Sequence, residues 1–417
     1  MTTEADRPTG GNAMEKNTIL MIAGIATALI ATGAVLLWTE TPSKKAPDVR
    51  KATKEPSESA KALSASFSKS GTKLFEILRE KGKNITISPY SIGMIMNMAY
   101  CGADGETAAE TARALSLPEG ATAETIMRDT PQIIDSVKTG KSVTIETANS
   151  IWTRTKVNGK YVSDCRKNFD AEVSDRLSKE AVNRWVAKKT HDKIKEIIAS
   201  DDGLEVVLLN AVYFHGIWKK PFLKTETRKA DFTKSDGSKI KADMMFKKDD
   251  LPYYEDDELQ AIRIPYEGGV SMYVLLPKNG CEAKPVPEAA MELQQKMSIE
   301  EVEVFLPKFK TEYSANLKDA LMSMGMKKAF SNDAEFKRIS PGLKISSVIH
   351  KTFVDVNETG TEAAAATAVC MEATCVAPGF EKKPKEFIAD RPFMYVIADD
   401  STGIPLFASA VENPQGN

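Results

Sequence analysis

The segment at residues 357–377 has the composition of a loop and the alternation of a strand. It contains no proline, and its odd positions from Thr361 to Met371 are uncharged, whereas Glu362 and Glu372 both occupy even positions. Alternate residues of a strand point to opposite faces of a sheet, so one face of this segment is small and uncharged enough to enter a core. Because residues 348–356 upstream are a strand candidate, the segment either extends that strand or stays outside as a loop.

Composition alone leaves a linker and an exposed helix open as well, because alanine and glutamate favour helices and Ala/Thr-rich stretches serve as linkers. The flanking sequence favours the inserting strand. The run Val-Asp-Val-Asn-Glu-Thr-Gly-Thr-Glu-Ala-Ala-Ala-Ala-Thr at 354–367, followed by Phe-Ile-Ala-Asp-Arg-Pro-Phe at 387–393, resembles the reactive-loop hinge and the next strand of the serpins. Thr361 after Gly360, before four alanines, resembles the hinge of serpins that inhibit proteases.

Further motifs follow in the order found in that family. They are Asn84-Ile-Thr-Ile-Ser-Pro-Tyr-Ser-Ile92, residues 100–110, Leu209-Asn-Ala-Val-Tyr-Phe-His-Gly-Ile-Trp-Lys-Lys-Pro-Phe222, and residues 304–309, 321–330 and 405–414. The resemblance covers residues 61–417, the serpin domain. It implies a monomer with the serpin fold, an α+β arrangement of three β-sheets with about eight or nine helices and an exposed reactive loop at about residues 358–385.

The periodicity of the chain independently indicates an α+β fold. Apolar residues recur at helical spacing from Phe67 to Leu78 and from Ala181 to Ile198. Residues 143–151 and 302–306 alternate as strands, and residues 262–277 predict a hairpin that turns at a Glu-Gly-Gly triplet. Helices cluster early and strands later without a strict βαβ repeat, which favours α+β.

Charge and motifs argue against several functions. The 56 basic and 58 acidic side chains nearly cancel, and no basic block is interleaved with aromatic residues, so no nucleic-acid partner is expected. The chain has no Gly-x-Ser-x-Gly elbow, no His-Glu-x-x-His, no P-loop and no dinucleotide fingerprint. We therefore expect a protein that is not an enzyme and holds no cofactor or metal. Of the three histidines, His191 is interpreted as a surface residue of an amphipathic helix, and His215 has no catalytic partner nearby in sequence.

The third histidine, His350, lies among apolar residues, and a buried imidazole needs hydrogen-bond partners. The serpin resemblance implies that these partners are Asn210, in an otherwise apolar strand, with Ser88 and Ser91 at the start of an early helix. These four residues are called the shutter here, and in serpins they lie beneath the place where the central sheet parts. We hypothesise that protonation of His350 loosens the sheet at low pH.

At the top of the same strand, the resemblance assigns Glu358 and Lys308 to an ion pair that fixes the point where the loop leaves the sheet. Trp218 is expected to pack beneath this pair, and the three residues are called the breach. A surface ion pair contributes typically about 0–1 kcal/mol, so its expected role is positional. The hinge that must move is assigned to Glu358, Gly360, Thr361, Ala363 and Ala365.

The resemblance implies a suicide inhibitor of serine-type, and also cysteine-type, endopeptidases. A protease attacks the loop and forms an acyl-enzyme, after which residues from Thr361 to about Thr374 insert into the central sheet and carry the protease with them; serpin loop insertion is a known example of strand addition. Counting from Glu358 as in the family places the scissile bond at Thr374–Cys375, with Ala373 and Cys375 as alternatives for the residue before it.

The residues around the scissile bond bear on the target protease. A small, uncharged residue there suits an elastase-like or subtilisin-like protease better than a trypsin-like one, and Glu372 leaves an acid-specific target open. A non-inhibitory serpin that acts as a binding protein or chaperone is the alternative function. An unrelated membrane-tethered domain is disfavoured by the order of the motifs.

The five cysteines have neither metal-ligand spacing nor the even count of a disulfide framework. The core is therefore not expected to depend on disulfides. Cys370 and Cys375 both lie in the predicted loop, where a bond between them would close a small ring and block insertion. Two unrelated small residues are the other interpretation of this pair.

Residues 19–38 carry no charge and are long enough to cross a bilayer as a helix. We predict a tail at 1–18, a transmembrane or signal anchor at 19–38 and a solvated tether at 39–60; a cleaved signal peptide, giving a secreted protein, is the alternative. Basic residues are more numerous after the segment than before it, which by the positive-inside rule favours a cytoplasmic domain. We nevertheless expect the domain outside the cytoplasm, where an anchored inhibitor meets foreign or secreted proteases.

Overall fold

The computed structural model describes residues 55–137, 142–278, 281, 286–361 and 383–416. The predicted tail, anchor and most of the tether lie outside these ranges, as do hinge residues Ala363 and Ala365, the cysteine pair Cys370 and Cys375, and Ala373 and Thr374 at the predicted scissile bond. Within the described ranges, no helix combines the length and the apolar character that crossing a bilayer requires.

The described residues form eight α-helices and two short 3-10 helices. The α-helices are α1 Glu58–Leu78, α2 Pro89–Gly102, α3 Gly105–Ala114, α4 Ala123–Val137, α5 Gly159–Phe169, α6 Lys179–Lys189, α7 Val286–Gln294 and α8 Lys318–Ser323. The 3-10 helices are Lys224–Glu226 and Lys328–Phe330.

Fifteen strands accompany these helices in the described residues. They are β1 Ile85–Ile87, β2 Val143–Thr153, β3 Glu172–Ser174, β4 Val206–Ile217, β5 Arg228–Thr233, β6 Lys239–Glu255, β7 Leu259–Pro265, β8 Val270–Pro277, β9 Ser298–Pro307, β10 Phe309–Asn316, β11 Ser347–Asn357, β12 Gly360–Thr361, β13 Lys385–Ile388, β14 Phe393–Asp399 and β15 Pro405–Val411. This mixture of helices and strands confirms the predicted α+β class.

The strands form two hydrogen-bonded assemblies. The larger runs β1-β15-β14-β8-β7-β6-β9-β13, with β5 also paired to β6. The long strand β6 pairs with β5 and β9 over most of its length and with β7 only at Tyr253–Glu255. Strand β6 is therefore shared by two groups of strands and joins them into one assembly. For this reason the three expected sheets appear as two hydrogen-bonded assemblies.

The smaller assembly is a six-stranded sheet of order β10-β11-β12-β4-β2-β3. Its two faces are buried by different partners. Along β4, Leu208, Val212 and Phe214 belong to the main core, whereas Val207, Leu209 and Ala211 pack in a second cluster with Val182 and Val186 of α6. This is the period-2 burial of a strand covered on both sides.

Helix α2 lies between the two assemblies, where it contacts β2 and β4 of one and β15 of the other. Ser88 caps it by accepting a hydrogen bond from the Ser91 N–H, and Pro89 occupies the first helical turn, where a missing N–H costs nothing. Every residue of α2 is buried. The helix start therefore brings Ser88 and Ser91 beneath the six-stranded sheet.

Most predicted elements are present. Residues 143–151 and 302–306 lie in β2 and β9, and the predicted hairpin is formed by β7 and β8. Helix α1 begins at Glu58 because Ser57 caps it, with its hydroxyl accepting from the Ala60 N–H at 3.3 Å. Residues 58–60 therefore belong to a helix rather than to the predicted tether.

The helix predicted from Ala181 to Ile198 is wrong in its second half, because α6 ends at Lys189. His191 and Asp192 adopt left-handed backbone conformations with φ of 48° and 60°, which end the helical path. Ile194 and Ile198 continue the apolar spacing, but they bury against the sheet from a non-helical segment. His191 is exposed as expected, yet it lies beyond the helix.

Candidate functional site

Three polar residues lie side by side across the centre of the six-stranded sheet. Asn149 of β2 is the register partner of Asn210 of β4, and Asn210 is the register partner of His350 of β11. All three are buried on the face that α2 covers. The sheet therefore places a polar row directly against the helix start that carries Ser88 and Ser91.

Hydrogen bonds join this row to the helix. The Ser88 N–H donates to His350 Nε2 at 3.1 Å, so Nε2 is the acceptor and Nδ1 carries the proton that it donates to Asn210 Oδ1. The amide of Asn210 donates in turn to Ser91 Oγ and, at 2.5 Å, to Asn149 Oδ1. The four shutter residues are thus in contact, and Asn149 joins them as a fifth member.

Burial holds His350 in the neutral form. The ring is fully buried, and desolvation lowers its pKa to about 3. The geometry acts in the same direction, because a proton on Nε2 would face the Ser88 N–H that now donates to it. Protonation of His350 at Nε2 would therefore break the hydrogen bond from the Ser88 N–H.

The chain does not continue β11 outward after Asn357. It reverses at Glu358 and Thr359 and returns as β12, which pairs antiparallel with β11 and with β4. Val356 and Asn357 face Thr361 and Gly360 on one side, and Gly216 and Ile217 face them on the other. Of the two alternatives left open by the sequence, an extension of β11 is thus excluded for residues 360–361.

Below β12, the strands β11 and β4 pair directly with each other. This seam, defined by Ser347–Phe353 against Val207–Tyr213, is parallel. Its upper end is the register pair Phe353 and Tyr213, whose rings lie 6.2 Å apart. The sheet is therefore parted at one end by β12 and closed along the seam, where His350 and Asn210 bridge it.

Gly360 fits this position because nothing larger does. Its φ is 151°, and a Cβ built on it would lie 2.0 Å from the carbonyl oxygen of Gly216. Two backbones approach closely here, as is common where a glycine interrupts a strand.

Glu358 is buried rather than exposed, which changes the interpretation of the predicted ion pair. Its carboxylate lies 3.1 Å from Lys308 Nζ and accepts a hydrogen bond from Thr227 Oγ1 at 2.9 Å. Burial acts to raise the pKa of Glu358, but hydrogen bonds from its own backbone N–H, Lys308 and Thr227 outweigh it, so the pKa is lowered. The pair is thus a partly buried, charge-assisted contact.

Trp218 holds the hinge by its backbone and its ring. Its N–H donates to Thr359 O at 3.0 Å, and its indole Nε1–H donates to Asn357 O at 2.9 Å. The side chain is buried and stacks on Tyr266 at 4.1 Å between ring centroids. Trp218 thus contacts the residues on either side of Glu358.

Four residues that the sequence analysis did not single out complete the site: Asn149, Phe222, Thr227 and Tyr266. The Phe222 N–H donates to Glu358 O at 2.8 Å, and the Tyr266 hydroxyl lies 2.7 Å from Thr361 Oγ1. Only Asn149 carried a sequence signal, as a lone amide within an alternating strand. Asn357, Glu358, Thr359 and Thr361 are thus each held by a hydrogen bond to the rest of the protein, and Gly360 lies opposite Ile217 in the pairing of β12 with β4.

Among the residues that the structure describes, no group of His, Cys, Asp and Glu could hold a metal ion. The cysteines in those ranges, Cys101, Cys165 and Cys281, are unpaired, and burial raises the pKa of the Cys165 thiol to about 12.

Comparison with known proteins gives consistent results. Residues 65–414 match the family model described as Serpin (serine protease inhibitor). The chain is 37% identical over 362 residues to an uncharacterized serpin-like protein of Thermococcus kodakarensis, covering 82% of this chain and 83% of that protein. It is 33% identical to antitrypsin of Bombyx mori, covering 78% and 87%. The crystal structure of tengpin, a thermophilic serpin, in the native state matches with a TM-score of 0.76 and 28% identity, covering 87% of this chain and 96% of that one.

Proposed function

The chain belongs to the serpin family, and from this premise we propose that it inhibits serine-type endopeptidases, and also cysteine-type ones, as a suicide substrate. Its serpin fold agrees with the fold implied by the sequence motifs. In the proposed mechanism a protease cleaves the reactive loop, forms an acyl-enzyme and is trapped when the loop inserts into the six-stranded sheet. The bond-breaking groups belong to the protease, and this chain supplies the substrate and the sheet.

The observation that carries the proposal is the position of β12. Gly360 and Thr361 already pair with both β11 and β4, which would otherwise be neighbours. A longer insertion would follow the same path by separating the seam from Phe353 and Tyr213 downward. The first step of the proposed movement is therefore compatible with the folded state.

The shutter supports the proposal because it bridges the seam with exchangeable hydrogen bonds. An inserting strand must break the His350–Asn210 bond and leave both side chains with partners. Ser88, Ser91 and Asn149 surround them with further donors and acceptors. A buried polar network of this kind can rearrange with less loss than one in which a partner is left unpaired.

The loop sequence is compatible with insertion through its inward positions. These are Thr361, Ala363, Ala365, Thr367, Val369 and Met371, which include no charge and no proline. Beyond Thr361 they lie outside the described residues. We retain Thr374–Cys375 as the proposed scissile bond, with Ala373 or Cys375 as alternatives for the residue before it, and an elastase-like or subtilisin-like protease as the proposed target.

The test is to incubate the full-length protein with an elastase-like and a subtilisin-like protease and to separate the products on denaturing gels. A covalent complex, together with a released fragment that begins at or near Cys375, is the expected result. Cleavage at that place without a complex, but with a large gain in heat stability, would show that insertion is too slow to trap these enzymes. Cleavage with neither complex nor stability gain would favour a non-inhibitory serpin.

We also propose that residues 19–38 anchor the chain in a membrane with the serpin domain outside the cytoplasm. The support is the uncharged segment itself, which lies outside the described residues. Carbonate extraction of membranes, followed by protease treatment of intact cells, tests both parts. A protein that is released by carbonate overturns the anchor, and a domain that resists external protease overturns the orientation.

A further inference from the structure

Tyr266 contacts the hinge from outside the six-stranded sheet. It follows β7 at the turn before β8, and its N–H donates to Val270 O at 2.8 Å. Its hydroxyl lies 2.7 Å from Thr361 Oγ1, and both residues are buried. The contact therefore joins the first inserted side chain to a part of the protein that does not belong to the sheet that must part.

The ring of Tyr266 has little freedom to move. Trp218 stacks on it with 11° between the ring planes, and Phe214 meets it edge-on at 5.2 Å between centroids. The neighbouring Glu267 N–H donates to Ile217 O at 2.8 Å, which fixes the backbone against β4. A hydroxyl held in this way offers one defined position for its partner.

Backbone pairing does not define a register so well. A ladder is made of equivalent N–H and C=O groups, and a slip of one residue would send every side chain to the opposite face. The described part of β12 is Gly360–Thr361. After Thr361 the sequence has one glutamate and four alanines before the next hydroxyl, at Thr367. Among residues 360–366, Thr361 alone carries a hydroxyl that can pair with Tyr266.

We propose that Tyr266 is a positioning residue that sets the register in which the reactive loop begins to insert. This inference rests on the proposed suicide-substrate function. After cleavage, insertion proceeds from a strand whose first side chain is already aligned. Without the hydroxyl of Tyr266, insertion starts from a mixture of registers and slows, so water has more time to release the protease from the acyl-enzyme.

The test uses Tyr266→Phe, Thr361→Val and the double variant in the full-length protein. Tyr266→Phe keeps the stack on Trp218, and Thr361→Val keeps the shape of the side chain. The measured quantity is the ratio of cleaved to covalently trapped inhibitor, alongside the rate of loop cleavage. Since one buried hydrogen bond is at stake, each single change should raise this ratio by about two- to tenfold, and the double variant should do no more than either. The cleavage rate should stay unchanged.

Tyr273→Phe is the matched control, because the Tyr273 hydroxyl is buried without a hydrogen-bond partner in the described part of the chain. It should leave the ratio unchanged. A merely structural role for Tyr266 would lower the unfolding midpoint of the uncleaved protein without changing the ratio. An unchanged ratio, or single effects that add in the double variant, overturns the inference.

A second readout separates this inference from the proposed function. If the wild-type protein traps neither protease, the loop is cleaved and the rate at which a heat-stable form appears is measured. A rate that falls twofold or more in Tyr266→Phe supports the inference. A rate that is the same in Tyr266→Phe and in the wild type overturns the inference and leaves the proposed function standing. If cleavage of the wild-type protein gives no stability gain, the proposed function fails and the inference fails with it.

Discussion

His350 donates its Nδ1 proton to Oδ1 of Asn210 directly across the seam between β11 and β4. The bond joins two strands that belong to one continuous sheet in the folded state and that the proposed mechanism must separate. The same ring accepts from the Ser88 N–H, so the seam is also tied to the start of α2. The strength of the hydrogen bonding across the seam therefore depends on the protonation state of the His350 imidazole.

We expect His350→Asn to lower the free energy of unfolding at pH 7 by about 1–3 kcal/mol, because Ser88 and Asn210 lose a buried partner. The pKa of His350 is lowered to about 3 from 6.5, so the unfolded state binds more protons between these values. The contribution of His350 to stability is therefore complete above pH 6.5 and is lost as the pH falls toward 3, with a slope of at most about 1.4 kcal/mol per pH unit.

Urea unfolding of both proteins between pH 7.5 and about 4 measures this difference. It should shrink steadily as the pH falls. His191→Asn is the control, because that ring is exposed and the change should alter the free energy of unfolding at pH 7.5 by no more than about 0.5 kcal/mol. If the midpoints of His350→Asn track those of the wild type at every pH, His350 does not control the sheet.

The residues that the sequence identified and the residues that it missed differ in kind. His350 was found because a histidine among apolar residues of a strand is visible locally, whereas Ser88 and Asn210 were assigned as its partners through the serpin resemblance. Tyr266 was missed because its partner Thr361 is 95 positions away and a tyrosine at the end of a strand is unremarkable by itself. The contact exists only because the β7–β8 turn packs on the hinge.

The end of α6 was mispredicted for a related reason. Ile194 and Ile198 keep a helical spacing, so periodicity extended the helix to Ile198. The helix ends in a turn in which His191 and Asp192 adopt left-handed conformations. Glycine is the residue most often found in such conformations, and no glycine here indicated the end of the helix. Burial against the sheet, rather than local preference, decided the path of the chain here.

Lys308→Met should weaken the hinge by removing the cation that pairs with Glu358. After the substitution, the buried carboxylate would keep its hydrogen bonds from Thr227 and from the backbone. Because Lys308 is partly exposed to solvent, removing its charge costs less free energy than removing a fully buried cation. We expect the free energy of unfolding to fall by about 0.5–2 kcal/mol at pH 7. Chemical unfolding measures it, and Lys239→Met, at an exposed position of β6, is the control.

The pH dependence of this effect has a defined sign. The pKa of Glu358 is below its ordinary value of 4.5 in the folded state, so its contribution is complete above pH 4.5 and is lost as the pH falls through the lowered value. The difference between the wild type and Lys308→Met should therefore decrease in acid. A difference that grows below pH 4.5 would contradict the role assigned to this pair.

Thr374→Arg should redirect the inhibitor from elastase-like to trypsin-like proteases. A trypsin-like pocket carries a carboxylate that pairs with Arg or Lys and gains little from threonine. We expect the rate of complex formation with trypsin to rise by at least about tenfold, the discrimination that about 1.4 kcal/mol of pocket contacts provides. The rates of complex formation with a trypsin-like and an elastase-like protease, measured for the wild type and for Thr374→Arg, test this prediction. Ala373→Arg is the comparison variant. If Ala373→Arg inhibits trypsin faster than Thr374→Arg does, the scissile bond lies one residue earlier.

Gly360→Ala should expel the hinge from the sheet. The new Cβ would lie 2.0 Å from the Gly216 carbonyl oxygen, and neither backbone can shift without breaking the pairs that form β12. Leaving the sheet costs the Tyr266–Thr361 hydrogen bond and part of the packing around Thr361, so stability should fall by about 1–3 kcal/mol. Amide hydrogen exchange should rise at Thr361 while Phe353, in the intact seam, stays protected.

Gly159→Ala meets no atom within 4 Å and serves as the control. Unchanged exchange at Thr361 would mean that the strand pairing tolerates the methyl group and that Gly360 is not needed for the position of β12.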